Sequence, residues 1–214
     1  MLNTADSLKQ FAGDYSKTVV NKTGLFPQVC HDPEWVSPCE LANGAEGEML
    51  QWQWQNQTGQ LSFVDVEQAL ELSFNQAITT YYNTIYSGSL FATFGEHQIE
   101  LLQIWNNSDF ERLSQNIIGH ILMQRRLKQQ HTVFIGCIVN GEQMLSIDNN
   151  TGAVLLEIPG AKQRTVLCDS LSEFFSQAQP LAEPEEELVY EQPIALKVGL
   201  MPRLKEIFNS LRGK

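Results

Sequence analysis

From Thr23 to Glu111 the chain contains no lysine and no arginine. The same window holds twelve carboxylates: Asp32, Glu34, Glu40, Glu46, Glu48, Asp65, Glu67, Glu71, Glu96, Glu100, Asp109 and Glu111. A stretch this long must supply several elements of the fold, and none of them has a cation of its own for a local ion pair. Wherever the window forms continuous surface, that surface is negative and attracts basic partners. The feature is a segregation of sign and not a high charge density, because only 18% of the residues are charged. A net charge of −11 also argues against nucleic acid as a partner of the body, since phosphate binding needs a basic footprint.

The 214 residues suit one domain with a tail, long enough to bury a core without staples. No apolar run reaches the length of a bilayer span, and MLNTADSLKQ lacks the basic and apolar regions of a signal peptide. Cys30, Cys39, Cys137 and Cys168 are scattered without framework spacing. The expectation is a reducing cytoplasm and free thiols.

Periodicity lays out the elements. Thr4 to Val20 is a helix with Leu8, Phe11, Ala12, Tyr15 and Val19 on one face, capped by Thr4 or Asp6 and stopped by Asn21 to Gly24. Leu25 to Glu48 is irregular, because Pro27, Pro33 and Pro38 deny it regular hydrogen bonding; Trp35 pins it down. Met49 to Trp54 alternates as a strand. Two helical pieces follow, the first burying Val66, Ala69, Leu70 and Phe74, the second running from Gln76 to Tyr86 with Ile78, Tyr81, Tyr82 and Ile85 inward. Ser89 to Phe94 and Gln98 to Trp105 form a hairpin around Gly95-Glu96-His97. Asn107 to Lys128 is a helix opened by a capping box from Ser108 to Glu111, with Phe110, Leu113, Ile117, Ile121 and Leu127 inward, widened by Ile118 and Leu122. A meander follows: Thr132 to Val139, the turn Asn140-Gly141, Gln143 to Asp148, then Ala153 to Ile158. Val166 to Cys168 adds a short strand, and Ser170 with Glu173 opens a short helix.

No chemistry-bearing motif is present. There is no Gly-rich phosphate loop, no G-x-S-x-G and no H-E-x-x-H. Cys30-His31 and Cys39 lack a second ligand pair for a structural zinc, and His120 sits beside the apolar face of its helix as a core histidine. No metal, cofactor, small-molecule substrate or catalytic residue is expected. The candidate site is the acidic face itself, with Asp65, Glu67, Glu71, Glu96, Glu100, Asp109 and Glu111 as its partner-binding residues. Folding back of Arg125 or Lys162 would neutralise part of it. After Pro180 the composition shifts. Residues 182–192 read as an acidic linker, and residues 193–214 as a basic amphipathic extension carrying Lys197, Arg203, Lys205, Arg212 and Lys214 beside Leu200, Leu204, Ile207, Phe208 and Leu211. That extension suits three roles: a last core helix, an anionic membrane contact, or an occupant of the chain's own acidic face.

Several short blocks carry a family resemblance: Ser37-Pro38-Cys39, Val66-Glu67-Gln68-Ala69, Phe94-Gly95-Glu96, Leu101-Leu102-Gln103-Ile104-Trp105, Asp109-Phe110-Glu111-Arg112, Asn116-Ile117-Ile118-Gly119-His120, Arg126-Leu127-Lys128 and Thr132-Val133-Phe134-Ile135. In this order they resemble the Syd family of SecY-interacting proteins, over roughly residues 1–181; the segment beyond about Leu181 departs from it. The resemblance implies an α/β domain of the α+β type, similar to SMI1/KNR4-like proteins, with a mixed or antiparallel central sheet flanked by helices. It implies a non-enzymatic protein on the cytoplasmic side of the inner membrane, peripheral and loosely associated. The implied partner is SecY, whose basic cytosolic loops meet a concave acidic surface, so that the translocase is regulated or quality-controlled. Membrane contact would be indirect through SecY, aided by residues 193–214. An immunity-type binder of a basic toxin on the same fold is the alternative.

Overall fold

The computed structural model of the chain describes residues 2–59 and 61–183. Its first element, α1 (Thr4–Thr23), buries Leu8, Phe11, Ala12, Tyr15 and Val19 as the spacing predicts. Its cap is Asn3 and not Thr4 or Asp6: Asn3 is extended, and its side chain accepts from the Asp6 N–H at 2.9 Å. Gly24, at φ 78°, ends the helix in the left-handed region that a Cβ disfavours.

The proline-rich connection is less irregular than its composition predicts. It contributes β1 (Gln28–Cys30), which pairs antiparallel with β2 (Met49–Gln51). Ser37 Oγ donates to the Trp105 carbonyl at 2.5 Å, and Trp105 Nε1 donates to the Trp35 carbonyl at 3.0 Å, so the loop is tied to the body at both points. The expected strand to Trp54 stops at Gln51, and Trp52 turns inward to lie edge-on to Trp105. β3 (Gln55–Asn56) follows.

Next come α2 (Val64–Leu70) and α3 (Gln76–Thr84). Ala69 is exposed and not buried, because α2 is only seven residues long and rests on Val66 and Leu70 alone. α3 ends two residues early, and β4 (Ile85–Tyr86) pairs with β3 instead.

The main sheet is built from β5 (Leu90–Phe94), β6 (His97–Leu101), β7 (Thr132–Ile138), β8 (Met144–Asp148), β9 (Val154–Glu157), β10 (Arg164–Cys168) and β11 (Gln179–Pro180). Its order is β10-β9-β8-β7-β6-β5-β11, and every pairing is antiparallel, which decides between the two sheet types expected. Between β6 and β7 lies α4 (Asn107–Arg126), and between β10 and β11 lies α5 (Leu171–Gln177). Asn140, at φ 58°, makes the β7–β8 turn, as its pairing with Gly141 predicts. Gly136 cannot be replaced in β7: a Cβ there would stand 2.5 Å from the Glu100 carbonyl oxygen of β6.

β8 and β9 are buried at every position, because helices and loops cover both faces of the sheet. α3 is tied to it by the Tyr81 and Tyr82 hydroxyls, which donate to the Leu102 and Phe134 carbonyls. α4 lies across β7 with the His120 ring edge-on to Phe134. His120 is thus a packed core histidine, as its position beside the apolar stripe predicts. Leu122 and Leu127 are not core residues: they are 52% and 40% exposed. Gln124 takes the inward position instead and accepts from the Thr132 N–H at 3.0 Å.

Candidate functional site

Two carboxylates of the acidic window, Asp65 and Glu111, come together where α2 lies against the start of α4. α2 begins at Phe63, which has no side-chain cap to offer. Its ring packs against Phe74 and Tyr82 and lies 4.9 Å from that of Phe110 on α4, edge to face. This aromatic wedge fixes the helix pair and leaves an open seam beside it. The seam is a cleft of about 360 Å³ lined by Ser62, Asp65, Val66, Phe110, Glu111, Ser114, Gln115 and Ile118. Val66, Phe110 and Ile118 give it an apolar floor packed on the core. Asp65 and Glu111 stand exposed on its two rims, one from each helix. None of the lining residues is a cation.

Two arginines lie close by and are engaged elsewhere. The Arg112 guanidinium sits 3.7 Å over the Trp35 ring, a cation–π contact with the proline-rich loop. Arg125, near the far end of α4, donates to the Leu70 carbonyl at the end of α2. Asp65 and Glu111 thus flank the cleft without an ion pair among the described residues, while Arg125 is held at the Leu70 end, next to Glu71.

The other candidate carboxylates have different surroundings. Glu67 is half-buried and accepts from the Phe74 N–H at 2.6 Å, closing the turn after α2. Glu71 is exposed at φ 46°, next to the carbonyl that Arg125 holds. Glu96 is exposed at the tip of the β5–β6 turn. Glu100 is 5% exposed in the middle of β6 and accepts from Ser89 Oγ at 2.8 Å. Asp109 is buried and accepts from the Trp105 N–H at 3.0 Å. Burial pushes its pKa up, against the opposing pull of that N–H and of Arg112. Asp109 belongs to the capping machinery, which lies two residues earlier than the sequence predicts. Asn106, not Ser108, is the cap and accepts from the Asp109 N–H, while Glu111 stays free of the cap on the cleft rim.

Sequence reading missed the neutral part of the cleft. Phe110, Ser114 and Ile118 recur every fourth residue, so they share one stripe of α4. That stripe was legible, but nothing local showed that α2 would leave it uncovered.

Cys39 and His31 are both buried in the proline-rich loop. Burial pushes the Cys39 thiol up to about 11, with smaller opposing effects of the Ser37 and Gln55 hydrogen bonds, so it is not a thiolate near neutrality. His31 is buried with its Nδ1 2.6 Å from Glu40 Oε2, which leaves the pair inside the loop it organises. Among the described residues no group of three or more His, Cys, Asp and Glu side chains is arranged to hold a metal ion. An acid-rimmed, apolar-floored cleft is equipped to bind a cationic, amphipathic segment.

A family model described as Syd protein (SUKH-2) matches residues 5–180. The chain belongs to the Syd family. A Protein Syd of Colwellia psychrerythraea is 38% identical over 192 residues, which cover 83% of this chain and 94% of that protein. A Protein Syd of Shewanella pealeana is 36% identical over 214 residues, and one of Shewanella halifaxensis is 35% identical over 214 residues; both alignments cover 100% of each chain. These two Syd relatives correct one expectation. The segment after Leu181 lies beyond the family model, but it is not a departure of this chain alone. Its own structure lies outside the described residues from residue 184 onward. Among the described residues of this Syd-family chain, no helix is long and apolar enough to cross a membrane.

Proposed function

We propose that the chain binds the basic cytosolic loops of the SecY channel through the acidic α2–α4 face and so regulates or quality-controls the translocase, without catalysis. The observation that carries this reading is the cation-free cleft with Asp65 and Glu111 on its rims and an apolar floor between them. Unneutralised surface carboxylates steer basic partners into encounter, and the effect weakens as salt screens it. The apolar floor then gives a docked loop somewhere to bury a side chain, which charge alone does not provide. Glu67, Glu71 and Glu96 serve this face as outer charges. Glu100 and Asp109, being enclosed, serve it through the fold. The protein would act at the cytoplasmic side of the inner membrane, held there by its partner.

The test is a titration of SecY-loop peptide against the full chain at low and high ionic strength. Affinity should fall steeply with salt, and the double variant Asp65→Lys/Glu111→Lys should lose roughly tenfold or more at low salt with an unchanged melting temperature. Salt-independent affinity, or full affinity in the double variant, would overturn the reading. Capture of a soluble basic toxin in place of SecY from membrane extract would favour an immunity-type binder.

A further inference from the structure

The cleft has a candidate occupant in the same chain. We propose that the C-terminal segment, residues 193–214, docks in the α2–α4 cleft of its own molecule and competes there with the cationic partner. The inference rests on the reading of that cleft as a site for basic, amphipathic chain.

Charge complementarity is the first argument. The cleft carries Asp65 and Glu111 with no cation among its lining residues, whereas residues 193–214 carry five cations against the single Glu206. Shape is the second. Leu204, Phe208 and Leu211 recur at spacings of four and three, which is one face of a helix, and Pro202 suits the first position of such a helix. The open stripe of α4 from Phe110 to Ile118 extends for about 12 Å, two helical turns. Leu204 to Leu211 covers about the same length, with Lys205 and Arg203 flanking the apolar face toward either rim.

Reach is the third argument. Leu181 is still bonded into the body, its N–H donating to the Phe91 carbonyl at 2.9 Å, and Ala182 packs on the core. Glu183 pairs with Lys22 at 2.9 Å, so the chain leaves the body at a defined place beside the end of α1. Residues 184–192 extend at most about 30 Å. A body of this size has a radius of gyration of about 16 Å, so this tether alone reaches roughly half of the surface, and residues 193–201 ahead of Pro202 lengthen it further. Tethering holds the segment at an effective concentration on the order of millimolar, enough for a weak contact to be populated. A SecY loop would then have to displace it, and the apparent affinity of the full chain would be lower than that of the open cleft.

Zero-length carbodiimide coupling of the dilute full chain, followed by peptide mapping, tests the placement without any partner. The expected product joins Lys205, Lys197 or Lys214 to Asp65 or Glu111 within one molecule. It should disappear in Leu204→Asp/Phe208→Asp, whose changes lie outside the described residues. Couplings of those lysines only to other carboxylates, only between two molecules, or none at all would overturn the inference. So would loss of the wild-type coupling in favour of binding to vesicles of phosphatidylserine and phosphatidylcholine. A synthetic peptide of residues 193–214 provides the second readout. It should bind the double tail variant about tenfold more tightly than the wild type, whose cleft is already filled, and equal affinities would overturn the inference. Neither measurement contains SecY, so a coupled tail without SecY-loop binding defeats the functional reading alone, and SecY-loop binding without a coupled tail defeats this one alone.

Discussion

Glu100 on β6 and Glu111 on α4 belong to regions that treat a carboxylate in opposite ways. In the sheet, water is excluded, so each acid has its partner built into the fold. Glu100 takes the Ser89 hydroxyl. Glu157 on β9 is 3% exposed; it accepts from Thr132 Oγ1 at 2.5 Å and lies 2.7 Å from Arg164 Nε, a contact close in distance though off the N–H direction. On the α2–α4 face the acids keep their water, and the nearby guanidinium groups point at Trp35 and Leu70 instead. Counting acids in the sequence therefore overstates the surface. Part of the charge is consumed inside the fold, and of the exposed remainder only Asp65 and Glu111 flank the seam, while Asp32, Glu34, Glu46 and Glu48 stand on the proline-rich connection.

The largest effect expected of this division lies in the interior. Burial pushes the His120 pKa down to about 3, helped by the positive charges of Arg164 and His131. A histidine held neutral in the fold contributes stability that is complete above its unfolded pKa of about 6.5 and drains as the pH falls toward the folded value. The loss is about 1.4 kcal/mol per pH unit across that range. Urea unfolding between pH 7 and pH 4 should show this extra slope in the wild type and not in His120→Gln. Parallel slopes would mean that His120 is solvated, and the contrast between core and cleft would fail.

A smaller effect separates two neighbours in one helical turn. Asp109→Ala leaves the Trp105 N–H buried without its acceptor and should cost about 1–3 kcal/mol, whereas Glu111→Ala should stay within about 0.5 kcal/mol. Because burial raises the Asp109 pKa, its contribution is largest at low pH and declines as the pH rises from about 4. The wild-type advantage over Asp109→Ala in thermal melts should shrink in that direction. Equal costs for the two alanine variants would erase the distinction. The smallest effect is expected of Glu96→Lys, at the exposed hairpin tip: stability within about 0.5 kcal/mol and SecY-loop affinity within about twofold. A loss matching that of the cleft reversal would show that the acidic surface extends to the hairpin.

Elements with a strong local signature were legible in the sequence. The stripe of α1, the Asn140-Gly141 turn, and the Ser170 cap that accepts from the Glu173 N–H all sit where spacing put them. What escaped depended on distant partners. The α4 cap moved to Asn106 because Asp109 was drawn inward to the Trp105 N–H. Leu122 and Leu127 are apolar, yet Gln124 takes the inward position because it bonds the Thr132 N–H, so they stay exposed. Glu100 has the polar character of an outward strand position, but a sheet covered on both faces has no outward side. The acidic seam was legible in part. Asp65 and Glu111 belong to the carboxylates singled out, but the uncovered stripe between them depends on how short α2 is.

The return of β11 to β5 has a consequence in time. α1 packs on α5 and β11, and Thr4 and Ser172, 168 residues apart, touch through their hydroxyls at 3.5 Å. β11 follows α5 in the chain, so the β5 edge is completed only once that helix has been synthesised. α3 and Trp52 can cover part of the α1 stripe early, but the part that meets α5 and β11 waits until residues 171–180 are made, roughly eight to thirty seconds after α1 at usual synthesis rates. Truncation before Leu171 would leave that part of α1, with the Phe11 ring that meets Phe175, without its cover.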